Sequence, residues 1–172
     1  IRPGLVYGPG DTTTLKPAFD QLRSGFFPKI GGFSSLTCPI YIDDLVDAAV
    51  LALESPKSDG EVFDITSGED VRFDEAIEYA AELLDVKPPK IDISVPVART
   101  IAAFAEGVSR LTGYRARPVL TRYLVDQIAD DFHFSIKKAQ KLLGFEPKYP
   151  WRKGLEIAVE SYLSLTAGED AE

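Results

Sequence analysis

Few residues of this chain have the types and spacing to do chemistry, and each candidate group has a simpler reading. Asp43 and Asp44 are adjacent carboxylates that could share acid and base roles. Tyr149 and Lys153 stand at the separation of a tyrosine acid and the lysine that lowers its pKa, and Gly4, Gly8 and Gly10 repeat the glycine spacing of a dinucleotide loop. Asp43-Asp44, however, follows a short strand and opens an apolar helix, where an N-cap and a first-turn acid satisfy free amides and complement the helix dipole. Such a cap contributes about 0.5–2 kcal/mol. Pro150 disfavours helical angles at Tyr149, so Tyr149 and Lys153 need not share a helix face. A phosphate loop must follow a complete strand and run into a helix, whereas the strand-forming Leu5-Val6-Tyr7 lies between these glycines. His133 has no cysteine or second histidine at ligand spacing, so neither a metal site nor a histidine triad is expected.

The elements that must hold any site alternate through the first half of the chain. Leu5-Val6-Tyr7 is a β-forming run ending in the Gly8-Pro9-Gly10 turn, so the chain reads as starting inside a sheet. Asp11-Thr12-Thr13-Thr14 offers N-caps for a short amphipathic helix that stops at Gly25. Phe26 to Leu36 is rich in glycine, proline and aromatics; it could wall a pocket, although spacing favours a core role for Phe26, Phe27 and Phe33. A strand over Pro39–Ile42, a helix to about Ser55, a strand over Glu61–Thr66, a helix carrying Ile77, Ala80, Ala81 and Leu84, and a strand over Ile91–Val95 follow. Beyond Pro96 the pattern is helical. Val97, Ile101, Phe104, Val108 and Leu111 lie on a broad apolar face that is expected to pack on the domain. A basic, aromatic loop spans Tyr114–Pro118, and helices are expected over Val119–Ala129, from Ser135 to Gly144, and from Pro150 onward with Leu155, Ala158, Val159 and Tyr162 inward.

Composition narrows the function classes. A chain of 172 residues, 45% hydrophobic and 27% charged, has the make-up of an ordinary globular protein with one core. Its 27 acidic and 19 basic residues give a net charge of −8, which disfavours a nucleic-acid partner. Cys38 is the only cysteine, so a disulfide-free, reducing compartment and a cytoplasmic location are expected, with no transmembrane segment and no bound metal. The sequence contains no methionine, even at position 1, which suggests a piece of a longer protein.

Arg2-Pro3-Gly4-Leu5-Val6-Tyr7-Gly8-Pro9-Gly10-Asp11 resembles the segment downstream of the active site in extended short-chain dehydrogenases/reductases, the NAD-dependent epimerase/dehydratase superfamily. Ile40-Tyr41-Ile42-Asp43-Asp44-Leu45-Val46-Asp47-Ala48 is similar to a second signature of the family, Glu61–Gly68 to its last parallel strand, and Lys138–Pro147 to its C-terminal helix pair. The resemblance implies an α/β fold: the C-terminal part of a Rossmann-like doubly wound parallel sheet over residues 1–95, with substrate-loop insertions, then a mostly helical substrate-binding subdomain over 96–167 and a disordered tail over 168–172. It also implies that the glycine-rich loop and the catalytic tyrosine and lysine belong upstream of Ile1, so no catalytic residue is assigned and the fragment is expected to be inactive alone. NAD or NADP would bind in the full-length protein, with Pro3, Gly4 and Val6 beside the nicotinamide, while Leu5, Tyr7, Phe27 and Thr37 would border the substrate. Members that handle UDP-sugars resemble one another in carrying Asn where this chain has Leu5 and Arg where it has Thr37. That departure, with the long apolar helix and Arg117-Pro118, looks closer to the 3β-hydroxysteroid dehydrogenase and dihydroflavonol reductase type. A small-molecule substrate and a homodimer follow as expectations. A non-catalytic binding or assembly module of the same fold, and a nucleotide-sugar epimerase or dehydratase, remain the alternatives.

Overall fold

In a computed structural model, residues 1–113, 118 and 120–169 are described. The Tyr114–Arg117 loop, Val119 and the tail past Glu169 lie outside them, as do the side chains of Phe33, Gly168 and Glu169.

The opening strand is split in two by Gly4. β1 (Arg2–Pro3) runs parallel to β6 (Asp64–Ile65), and β2 (Leu5–Tyr7) runs parallel to β5 (Pro39–Tyr41), with Val6 beside Ile40. At the junction Gly4 N donates to Ile65 O at 3.0 Å, and Leu5 N donates to Cys38 O at 3.0 Å. The chain therefore changes sheet partner at one residue. A Cβ at Gly4 would sit 2.0 Å from the Cys38 carbonyl and 3.1 Å from the Thr66 methyl, so only glycine lets the three backbone segments meet. Two further strand pairs complete the β structure of the described residues: β3 (Lys29–Ile30) runs parallel to β8 (Asp92–Ile93), and β4 (Leu36–Thr37) runs antiparallel to β7 (Val71–Arg72). The mixed α/β architecture with parallel pairs agrees with the expected class. Two strands are shorter than their hydrophobic runs. Only Asp64–Ile65 of Glu61–Thr66 finds a ladder partner, and β8 ends where Val95 starts a helix.

The helices are α1 (Leu15–Ser24), α2 (Ile42–Glu54), α3 (Phe73–Leu83), α4 (Val95–Leu111), α5 (Arg122–Ala129), α6 (Lys137–Leu143) and α7 (Trp151–Glu169). Thr14 holds the N-cap position of α1 without a side-chain bond, and Asp11 ahead of it accepts from the amides of Thr13, Thr14 and Leu15 at 2.9, 2.9 and 3.3 Å. α4 admits Pro96 in its first turn, where a missing N–H leaves nothing unpaired. α5 starts at Arg122, because Thr121 accepts from Leu124 N and fixes the N-terminus there. Gly144, at φ 68°, closes α6.

One cluster of buried side chains joins Tyr7, Phe19 and Ile77 to Ala98, Val125, Leu155 and Tyr162, so a common core crosses position 96. A second one packs Ile40, Phe63 and Ile65 against Ile136, Ala139 and Phe145. α7 docks on Tyr7 and Tyr41 through Gly154, whose Cβ would lie 2.3 Å from the Tyr7 hydroxyl. Tyr41 rather than Asp43 holds the N-cap position of α2, and of the two first-turn acids Asp44 does more than face the helix dipole. It is fully buried, and its carboxylate accepts from the amides of Lys148 and Tyr149 at 2.9 and 3.1 Å, tying the segment before α7 to α2. α4 also departs from expectation: it buries Ala98, Ala102 and Ser109 and turns Val97, Ile101, Phe104, Val108 and Leu111 outward.

Gly4→Ala should destabilise the chain by about 3 kcal/mol or prevent folding, since overpacking against backbone has no flexible neighbour to yield. Gly107→Ala, in α4 with nothing within 4 Å of the new methyl, should instead stabilise by roughly 0.5–1 kcal/mol. Urea denaturation of both variants checks the contrast. For Asp11, partial burial favours the neutral acid, but hydrogen bonds from Thr14, Thr13 and Leu15 outweigh it and hold the carboxyl below the usual aspartate range. The folded-state pKa is depressed, so this contribution is complete above about pH 4 and is lost as pH falls through the lower folded value. Asp11→Asn should flatten the acid limb of the stability curve in that window, as followed by circular dichroism.

Candidate functional site

Beside the Gly4 junction an open cleft of about 470 Å³ runs along the ends of the first strands. The opening segment contributes Pro3, Gly4, Leu5 and Val6, and β4 with the residue after it contributes Thr37 and Cys38. α5 contributes Leu124, Gln127 and Ile128, while Phe132 and Phe134 from the segment after it, with Phe73 and Thr14, complete the lining. Among the described residues no charged side chain lines this cleft; its polar groups are two threonine hydroxyls, one amide and one thiol. Such a surface suits an apolar ligand oriented by a few neutral hydrogen bonds.

The aromatic edge of the cleft is clipped to β4 by a run of hydrogen bonds. Phe132 N donates to Leu36 O at 3.0 Å, Leu36 N to Asp131 Oδ1 at 2.8 Å, and the Ser35 hydroxyl to Ile128 O. Asp70, from the turn after β6, faces His133 Nδ1 at 2.9 and 2.8 Å from its two oxygens. His133, isolated in sequence, thus has a carboxylate partner, although the ring is mostly exposed and the pair adds little stability. The Cys38 thiol donates to Phe132 O at 3.1 Å and lies 3.5 Å from Asp70 Oδ1. Glu69, one residue before Asp70, accepts from Trp151 N at 2.9 Å, so the turn after β6 braces both the cleft edge and the start of α7.

Five of the seven residues assigned to the site from sequence meet in this cleft: Pro3, Gly4, Leu5, Val6 and Thr37. Tyr7 and Phe27 do not line it. Tyr7 is buried where α7 covers the end of β2; its hydroxyl donates to Trp151 O at 3.1 Å and its ring meets Tyr41 edge-on. Burial above all, then the charges of Glu69 and Asp44, pushes its phenol well above the usual range. Phe27 lines a separate opening with Leu22, Arg23 and Val86. Tyr149 packs at a tilt against Tyr41, and Lys153 pairs with Glu156 at 3.2 Å, so the two form no acid–base couple. Among the described residues no group of three or more His, Cys, Asp or Glu could hold a metal ion, and no helix is long and apolar enough to cross a membrane. Sequence reading missed the α5 side and the aromatic edge; the alternation of Phe132 and Phe134 about His133 was the one local signal.

No family model matches the chain. Curated relatives do. The chain is 29% identical over 161 residues to 2-alkyl-3-oxoalkanoate reductase of Stenotrophomonas maltophilia (strain K279a), covering 90% of this chain and 48% of that protein. It is 30% identical over 178 residues to 3beta-hydroxysteroid-dehydrogenase/decarboxylase isoform 1 of Arabidopsis thaliana, covering 97% of this chain and 40% of the relative. The chain thus spans less than half the length of these relatives. The structure of UDP-glucuronic acid 4-epimerase from Bacillus cereus in complex with NAD superposes with a TM-score of 0.66 at 20% identity, over 95% of this chain and 44% of that one, which shows the Rossmann-like fold. The chain matches the C-terminal portion of an extended short-chain dehydrogenase/reductase. Within that superfamily its likeness extends to proteins named as 3β-hydroxysteroid dehydrogenases.

Burial above all, and the Asp70 carboxylate, raise the Cys38 thiol above its usual range, while the Phe134 amide acts in the opposite direction. A buried thiol of this kind is a poor nucleophile at neutral pH. A chromogenic disulfide reagent should therefore react with the folded chain at least ~100-fold more slowly than with the urea-unfolded chain. Equal rates would remove Cys38 from the cleft's buried edge.

Proposed function

We propose that this chain is the substrate-binding portion of an NAD(P)-dependent oxidoreductase that moves hydride to or from a ketone or hydroxyl of an apolar small molecule. The observation that carries this reading is the uncharged cleft in which Leu5 and Thr37 stand together with Leu124, Ile128, Phe132 and Phe134. A nucleotide sugar brings a diphosphate that needs cationic or multiple hydrogen-bonding partners, and Leu at position 5 offers neither. The names of the relatives, a 3-oxoalkanoate reductase and a hydroxysteroid dehydrogenase, support the same chemistry.

The residues present fit one end of the cofactor. Pro3, Gly4 and Val6 offer backbone and small apolar surface against which a flat nicotinamide ring could lie, and among the described residues no cationic side chain stands in the cleft for the pyrophosphate. On this reading the phosphate loop and the tyrosine–lysine acid–base pair reside on a preceding segment. Nicotinamide, when bound, supplies or accepts the hydride. This chain's own contribution is to orient the substrate: Leu5, Leu124 and the aromatic pair hold its apolar body, while Thr37 and Gln127 offer hydrogen bonds to its oxygen. Gln127 Nε2 already donates to the Tyr123 hydroxyl at 2.9 Å, which steadies the amide. Residues 1–95 would supply the cofactor side together with Leu5 and Thr37 on the substrate, and residues 96–167 the rest of the substrate side.

The test is reduction of an alkyl or steroid ketone by the complete protein with NADH or NADPH. Turnover is expected, Thr37→Arg should lower kcat/KM at least ~10-fold by putting an unpaired cation into an apolar cleft, and the 172-residue chain alone should show none. Turnover of UDP-sugars with no activity on ketones would reject this reading.

A further inference from the structure

A second opening, of about 390 Å³, shares none of the cleft's lining and forms where two helix ends meet the proline segment after α3. α1 stops at Gly25, whose amide donates to Leu22 O at 3.1 Å. α3 stops in a left-handed turn at Asp85 (φ 54°): Asp85 N donates to Glu82 O at 3.0 Å and Val86 N to Ala81 O at 2.9 Å, a paired closure that fixes how the chain leaves the helix. Pro88 and Pro89 then hold φ at about −65° and keep the residues before them extended. Lys29 N donates to Ile91 O at 2.7 Å where the segment reaches β8. The backbone alone thus sets these walls.

Leu22, Phe27, Val86 and Ile91 make the opening apolar, and Arg23, Lys87 and Lys90 stand among them with no carboxylate in the lining. That sign runs against a chain whose net charge is −8. Of the neighbouring acids, Asp20 accepts from the Tyr162 hydroxyl at 2.6 Å and pairs with Lys16, Asp92 accepts from Gly32 N at 3.1 Å, and Asp85 lies outside the lining. Arg23 has a structural role, since it sits in the last turn of α1, where it complements the helix dipole, and stands over the Tyr162 ring at 5.9 Å. Lys87 and Lys90 have none. They belong to no helix, and among the described residues neither makes an ion pair, whereas Lys29 nearby pairs with Glu78 at 3.6 Å. An extended proline segment repeats about every three residues, which sets both lysines on one side, and both line the opening.

We infer that this opening binds a small anionic amphiphile, its carboxylate or phosphate head between Lys87 and Lys90 and its apolar tail against Leu22, Phe27 and Val86. An inorganic anion would leave the apolar walls unused, and a neutral compound would leave the two ammonium groups without a partner. Flexible lysines supply point charge rather than a planar fork, so they accept either head. The volume falls within the roughly 300–1,000 Å³ of small-molecule sites.

Methyl-resolved NMR titration of the chain with decanoate, decyl phosphate, decanol and decyltrimethylammonium, each to ~1 mM, tests the site. Decanoate or decyl phosphate should give saturable shifts at the methyls of Leu22, Val86 and Ile91, and the other two compounds none there. Lys87→Gln combined with Lys90→Gln should weaken the anion at least ~5-fold with unchanged far-ultraviolet circular dichroism, and raising salt from ~0.05 M to ~0.5 M should weaken it in the same direction. Removing two charges outside the opening, by Lys137→Gln with Lys141→Gln on α6, should leave the affinity unchanged. Equal shifts with decanol, binding of the ammonium compound at the two helix ends, an affinity that survives Lys87→Gln with Lys90→Gln, an equal loss in the α6 variant, or capture by phosphatidylserine vesicles with no response to either free anion would each overturn the inference. The methyls of Leu5 and Leu124 report the cleft in the same spectra, so the two sites succeed or fail separately.

Discussion

Everything in this chain is arranged around the contact of three backbone segments at Gly4, Cys38 and Thr66. Because Gly4 has no side chain, the first strand can leave β6 and join β5 without a gap, and the amide of Ser67 can reach Pro39 O at 2.7 Å across the same junction. That change of partner opens the cleft. A strand that ran on beside β6 would not bring Leu5 and Val6 next to Thr37. The crevice beyond parallel strand ends is where α/β folds place their ligands, and here it forms where two strand pairs diverge.

The polar groups of the region brace the cleft and leave its lining uncharged among the described residues. Asp131 ties the segment after α5 to Leu36 of β4, Ser35 ties the end of α5 beside it, Asp70 pairs with His133 from the turn after β6, and Glu69 and Asp44 hold the start of α7. The charges thus stand behind the lining, and the surface offered to a ligand consists of apolar side chains with isolated hydroxyl and amide groups. This division follows the cost of burying unpaired charge, which bounds what the site can bind more firmly than any single side chain does.

Local features were legible in the sequence and distant pairings were not. The buried stripes of α3, α6 and α7 follow from helical periodicity, and Ile77, Ala81, Ala139, Leu155 and Val159 lie inside as their spacing requires. Pro3, Gly4, Leu5, Val6 and Thr37 were reached through resemblance, since nothing in their spacing says that residue 37 faces residue 5. Asp44 looked like no more than a first-turn acid because its partners lie 104 and 105 residues away, and His133 looked solitary because Asp70 is 63 residues upstream. Tyr7 lies outside the cleft for a related reason: the covering of β2 by α7 depends on Gly154, far along the chain. The exposed face of α4 is a different case. Periodicity identified the stripe correctly, but α4 also carries small residues on a second face, and those are what the core takes.

The central claim is that the cleft at the Gly4 junction receives an apolar carbonyl compound. Its most direct test is a methyl-resolved NMR titration of the chain with a steroid ketone, alongside UDP-glucose. The account predicts shifts confined to the methyls of Leu5, Val6, Thr37, Leu124 and Ile128 with the ketone, and none with the nucleotide sugar. Shifts at Leu22 and Val86 instead, or the same cleft shifts with UDP-glucose, would contradict it.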